Sequence, residues 1–252
     1  MSNYLLPLVQ DRMAEQHAGS QAKHLDCIQW IIDTNPRKNP WSAEKIIQVV
    51  LGLWFASVHQ LAISVVYALE DLSTHPAYVG PLRQEILQHA EPDGSNADLE
   101  NMPLIDSFLK ESARLRPSDS ISVRRKALQQ YTFSDGTHIA AGDVVCAPMR
   151  AMMLDESNSS DSRTFDGFRF VDAGSKSQSK LVDGETKLLL WGLGKRACPG
   201  RYYAVHALKL CVIHTLMNYE VEMGSERQRT LNWRSSTVPC SDTNLLFRPV
   251  PQ

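Results

Sequence analysis

The sequence has little that would cross-link it, hold a zinc ion or bind a polyanion. Its five cysteines, Cys27, Cys146, Cys198, Cys211 and Cys240, are odd in number, widely spaced and form no C-x-x-C pair. That pattern argues against a disulfide framework or a zinc site, and for a reducing compartment. No block of lysine and arginine stands out and the formal charge is only −2, so nucleic acid is not expected as a partner. Neither G-x-S-x-G nor H-E-x-x-H occurs, which removes two common hydrolase signatures. The first residues lack a basic stretch followed by an apolar run, so no signal peptide is read there. Internal repeats are absent.

What is present suits a globular chain. Hydrophobic residues make up 43% and charged residues 21%, enough for a substantial core. Helical patterning dominates the first half. Residues 1–33 read as one or two helices, and Ser42 as the N-cap of a long apolar helix running from Lys45 to about Ser73. His75-Pro76 interrupts it, residues 77–90 form a further helix, and residues 91–96 form a loop. A shorter helix over residues 103–115 ends at Pro117. Then the texture changes. Residues 131–139 read as a hairpin about Ser134-Asp135-Gly136-Thr137, residues 144–147 as a buried strand, and residues 155–180 as irregular. Residues 188–201 form a Gly-rich loop, residues 201–219 an apolar helix, and the tail strands and loops. The fold class is mainly α with a minor antiparallel β portion, in a single domain over residues 1–252.

The long helix admits two readings. Residues 46–69 are long and apolar enough to cross a bilayer, yet they carry Gln48, Ser57, His59, Gln60 and Ser64. So many polar groups near the centre favour a buried helix crossing the domain over a membrane-spanning segment, and none is expected in this chain.

The most informative feature is the loop Trp191-Gly192-Leu193-Gly194-Lys195-Arg196-Ala197-Cys198-Pro199-Gly200-Arg201. A thiolate that ligates iron must be deprotonated, shielded and rigidly held. A cysteine just before a helix meets the dipole and the free N–H groups of the helix N-terminus. Gly192, Gly194 and Gly200 remove side chains where backbone must lie close to a flat ligand, and Arg196 can reach a carboxylate beside it.

This loop resembles the haem-binding signature of the cytochrome P450 monooxygenases, F-x-x-G-x-R-x-C-x-G, with Trp191 in place of the usual phenylalanine. Upstream, Glu111 and Arg114 stand three residues apart on one helix. Alone the pair means little, because such pairs are usually solvated surface charges. In the resembled family E-x-x-R takes this place and pairs with a later arginine, and Arg169 in Phe165-Asp166-Gly167-Phe168-Arg169-Phe170 stands where that partner belongs. Arg125 stands where the family often has an arginine that pairs with a haem propionate, although the neighbouring Arg124 is an equal candidate.

The resemblance implies a C-terminal part of the cytochrome P450 fold with the N-terminal half absent. It implies haem b, with Cys198 as the axial thiolate and the metal ligand, in a cradle of Arg125, Trp191, Gly192, Arg196 and Gly200. It also implies electrons from NADPH through a reductase, and insertion of one oxygen atom from dioxygen into a small apolar organic substrate. The family places A-G-x-[DE]-T-[TS] on the long helix, where this sequence has Ala56-Ser57-Val58-His59-Gln60-Leu61. Ala56 leaves room for dioxygen, and His59 and Gln60 replace the acid and the threonine. Two readings stand for that pair, a proton and hydrogen-bond relay or satisfied polar groups inside a buried helix. Histidine at the acid position is similar to members of filamentous fungi that work in secondary metabolism. Residues 117–123 and 237–241 are candidate walls of a substrate site. Complete eukaryotic relatives are anchored in the endoplasmic reticulum facing the cytoplasm, and no anchor is read here. The alternative is an inactive pseudoenzyme or interaction protein that keeps the haem-binding portion.

Overall fold

The computed structural model describes residues 2–19, 24–89, 98–158, 160–171, 180–224 and 230–250, and these gather into two compact units, 1–59 and 60–252. The loop expected at residues 91–96 and residues 172–179 of the irregular stretch lie outside the described residues.

The first unit holds α1 (Ser2–His17), α2 (Cys27–Asp33) and the start of α3 (Ala43–Thr74). Asp26 caps α2 by accepting from the Gln29 amide at 3.0 Å, and it pairs with Arg12 at 2.8 Å. Val9, Ile28, Ile31, Ile32, Ile46 and Ile47 form the core between these helices. Ser42 caps α3 as expected, its hydroxyl accepting from the Lys45 amide at 3.3 Å.

The expected burial of α3 fails along its middle. Residues 52–60 are exposed throughout, Trp54 and Phe55 among them. Hydropathy shows that a helix is apolar, not which surface it meets. By length and composition α3 could cross a membrane, with a mean hydropathy of 1.9 over its most apolar window.

In the second unit the end of α3 joins α4 (Val79–His89), α5 (Pro103–Leu115) and α7 (Arg201–Asn218) around one core. Leu72, Leu82, Ile86, Ile105, Phe108, Leu109 and Val212 are its buried centre. Burying one such side chain contributes about 1.5–3 kcal/mol. Pro103 opens α5 at a position where a missing N–H costs nothing. Met102 cannot cap it, and the Glu85 carboxylate does so from α4, accepting from the Leu104 and Ile105 amides at 2.8 and 2.9 Å.

The β portion is four antiparallel pairs. β1 (Ser122–Lys126) pairs with β4 (Val144–Ala147), and β2 (Tyr131–Thr132) with β3 (His138–Ile139). β5 (Tyr219–Met223) pairs with β8 (Leu245–Pro249), and β6 (Thr230–Trp233) with β7 (Ser236–Pro239). The hairpin at residues 131–139 is where the sequence put it. β4 is not the buried strand expected: it alternates between exposed and half-buried residues, because its only strand partner among the described residues is β1. A short helix, α6 (Met149–Met153), follows where no helix was read.

Candidate functional site

The loop before α7 is built on itself. Gly192 and Gly194 take φ of +68° and +66°, which a side chain would strain. They let the chain fold back through one 3-10 turn, Gly194–Arg196, until the Cys198 amide donates to the Trp191 carbonyl at 2.7 Å. The Trp191 indole N–H donates in turn to the buried Leu181 carbonyl at 2.7 Å. Arg201, in the first turn of α7, donates to the Cys198 carbonyl at 3.0 Å. Cys198 is left half-buried and lines a cleft of about 250 Å³.

That cleft gathers most of the expected cofactor residues. Arg125, Trp191, Gly192, Arg196 and Cys198 line it, with Ser122, Val123, Arg124, Leu190 and Leu193. Gly200 lies beside it at the start of α7, with an ordinary φ of −85° and nothing within 4 Å of where a Cβ would stand. The protein itself therefore gives no reason for glycine there, whereas a ligand lying against the backbone would. The donor set fits a flat iron-bearing cofactor with acidic arms: one thiol, an indole, small backbone positions, and the exposed cationic side chains of Arg125 and Arg196.

Arg124 and Arg125 both line the cleft, at a place where β1 is irregular. Its register slips between Ser122 and Arg125, and Val123 takes φ of +54°. A regular strand would send adjacent side chains to opposite faces, and the bulge cancels that alternation. The two arginines differ in commitment. Arg124 is tied to Asp119 at 2.8 Å and to the Ser235 hydroxyl at 3.0 Å. Arg125 donates to the Arg124 carbonyl, which leaves most of its guanidinium donors for an anion.

Beneath this cradle the expected Glu–Arg–Arg cluster is assembled. Glu111 and Arg114 are both buried and meet through two bonds of 2.7 and 2.8 Å. Arg169 reaches the same carboxylate at 3.1 Å, as does the Asp166 amide. Arg114 also donates to the Met153 and Ser162 carbonyls at 2.8 and 2.6 Å, and Arg169 to those of Ser160, Asp161 and Thr164. The cluster thus fastens residues 160–169 and α6 to α5. Met149, Met153 and Phe170 then pack with Leu188, Leu189, Val123 and Leu193, so the fastening reaches the cleft walls.

The two candidate substrate segments are joined. The Thr237 amide donates to the Ser118 carbonyl at 3.0 Å and the Ser120 amide to that of Ser235 at 2.6 Å. Residues 117–123 and β7 are therefore bonded side by side, and Ser122 and Val123 reach the cleft.

Ala56, His59 and Gln60 are not enclosed. All three lie in the exposed part of α3, which corrects the reading of satisfied polar groups in a buried helix. The His59 ring lies 5.0 Å from that of Phe55, one turn away. Ala56 and His59 belong to the first unit and the cleft to the second.

Some positioning residues escaped the sequence reading. Asp106 accepts from the Leu181 amide at 3.3 Å and pairs with Lys209 at 2.9 Å; Lys110, fully buried, pairs with Glu185. Both hold the segment that leads to Trp191. Asp106 and Lys110 stand four residues apart on α5, a spacing that suggests an intrahelical pair, and the partners they take instead lie far away in sequence.

The Cytochrome P450 family model matches residues 1–247. Cytochrome P450 monooxygenase 151 of Postia placenta is 34% identical over 97% of this chain and 52% of its own length. Cytochrome P450 monooxygenase olcJ of Penicillium canescens is also 34% identical, over 96% of this chain and 47% of its own. The chain spans about half the length of these curated relatives. The crystal structure of a cytochrome P450, CYP102L1, matches 98% of this chain and 56% of its own with a TM-score of 0.79 at 19% identity. Retinoic acid bound cyanobacterial CYP120A1 gives the same TM-score at 20% identity.

Proposed function

The chain belongs to the cytochrome P450 family, and from that premise we propose that it serves as a haem-dependent monooxygenase acting on a small apolar organic molecule in fungal secondary metabolism. The observation that carries this reading is the cleft lined by Cys198, Arg125, Arg196 and Trp191, together with the cluster in which the buried Glu111 pairs with Arg114 and Arg169. Haem, when bound, supplies a redox-active iron that activates dioxygen with electrons from NADPH delivered by a reductase.

The chain's own residues hold and orient. Cys198 would hold the iron through its sulfur, Trp191 would offer a flat ring beside it, and Gly192 and Gly200 would leave backbone free of side chains there. Arg125 and Arg196 neutralise the cofactor's carboxylates, with Arg125 the better placed of the two neighbours on β1. Residues 117–123 and 237–241 offer apolar and hydroxyl contacts to substrate. On α3, His59 is the group that would relay protons and Gln60 would donate a hydrogen bond, from the places the family gives to an acid and a threonine.

The exposure of residues 52–60 favours a second reading, in which the chain keeps the cradle and does not turn over. Reaction with labelled dioxygen, a reductase and NADPH separates the two. Incorporation of one labelled atom into product, lost in Cys198→Ala, supports the monooxygenase. NADPH consumed without labelled product, in a protein that binds haem, supports the second reading.

A further inference from the structure

We propose that Trp191 is a positioning residue for Cys198, acting through the indole N–H that the family's usual phenylalanine lacks. Its two ends face different parts of the molecule. The indole donates to the Leu181 carbonyl at 2.7 Å, and the Trp191 carbonyl accepts from the Cys198 amide at 2.7 Å. Leu181 is itself fixed: its side chain is buried in the main core and its amide donates to Asp106 at 3.3 Å. Asp106 is braced by Lys209, which is buried and donates to the Leu99 carbonyl at 2.6 Å. Four residues beyond Leu181, Glu185 is paired to the buried Lys110 of α5. A polar line thus runs from α5 and α7 through Leu181 and Trp191 to the amide of Cys198.

The bond matters because the loop's backbone bonds are local, from the Gly192 amide to Leu189, from Ala197 to Gly194 and from Cys198 to Trp191, whereas the indole reaches a buried residue of the main core. Gly192 and Gly194 are conformationally free, and Gly194, Lys195 and Arg196 are exposed. Phenylalanine at 191 would fill the ring volume and leave the Leu181 carbonyl without its donor, and the loop would pivot about its glycines. The consequence for iron ligation rests on the function proposed above; the positioning itself does not.

The test is backbone hydrogen exchange at Cys198 in the full chain without added haem. Trp191→Phe removes the donor, and replacement of Trp191 by benzothienylalanine removes the N–H while keeping the ring's size and shape. Both are expected to speed exchange at Cys198 roughly tenfold, the loss of about one hydrogen bond, while the amides of Val212 and Leu216 in α7 keep their rates. An unchanged rate at Cys198 in the benzothienylalanine protein overturns the proposal. Carbon monoxide spectra of the reduced, haem-loaded proteins distinguish the two failures. If exchange speeds up but Cys198→Ala keeps the parent spectrum, positioning stands and ligation fails. If exchange is unchanged but Cys198→Ala loses the thiolate band, ligation stands and positioning fails.

Discussion

At the residue scale, the strongest energetic commitments are polar groups taken out of water. Glu111 is fully buried and accepts from two arginines and an amide. Glu111→Ala leaves both guanidinium groups without their carboxylate, and should cost about 3–5 kcal/mol, read as a lower urea midpoint with an unchanged slope. Tyr67 is the opposite case. Its ring lies 4.4 Å beneath the Arg116 guanidinium, but its buried hydroxyl has no hydrogen-bond partner among the described residues. Tyr67→Phe should therefore leave stability unchanged or raise it by about 1–2 kcal/mol at neutral pH. A loss of stability on thermal unfolding would show that the hydroxyl is paired. Glu85 supplies a pH dependence. Burial pushes its carboxyl above the ordinary 4.5, against the pull of the two amides it caps. The folded state then holds the proton more tightly than the unfolded state, so this group's contribution to stability falls as pH rises from 4.5 through the raised value. Glu85→Gln removes that fall. The variant's stability relative to the parent should rise across this window and then level off, whereas a difference independent of pH would contradict it.

At the scale of elements, legibility followed how local the cause was. α5 begins at Pro103 and ends two residues before Pro117, as the prolines dictate. The hairpin at residues 131–139 is set by its own turn, with Gly136 at φ of +88°. The loop around Cys198 was legible because its glycines, arginine and cysteine sit within one short stretch. α6 was not, since its five residues are too few to show a helical period. The exposure of β4 depends on how many strands flank it, which no local pattern records. The choice between Arg124 and Arg125 turned on a bulge at Val123 and on Asp119 and Ser235, and none of these was readable from an Arg-Arg pair. That choice has a consequence. Arg125→Ala should weaken haem retention more than Arg124→Ala, measured as the rate of haem transfer to an apo-globin acceptor. The reverse order would assign the anion contact to Arg124.

At the scale of the whole molecule, the sequence carries a loop that resembles a haem-thiolate signature, and the structure gathers Cys198, Arg125, Arg196 and Trp191 around one cleft whose neighbouring segments are tied to α5. What the sequence misjudged is the long helix. Its middle carries Leu53, Trp54, Phe55 and Val58 on exposed surface, an apolar patch of the kind that drives association. The purified chain should therefore self-associate in light scattering, and Trp54→Lys with Phe55→Glu should reduce this without lowering the thermal midpoint. A monodisperse parent protein would show that the patch is harmless. The central claim concerns Cys198, and the carbon monoxide difference spectrum of the reduced, haem-reconstituted chain tests it most directly. The expected result is the red-shifted Soret band of thiolate ligation, lost in Cys198→Ala and kept in Cys240→Ala. The same band in Cys198→Ala would contradict the assignment.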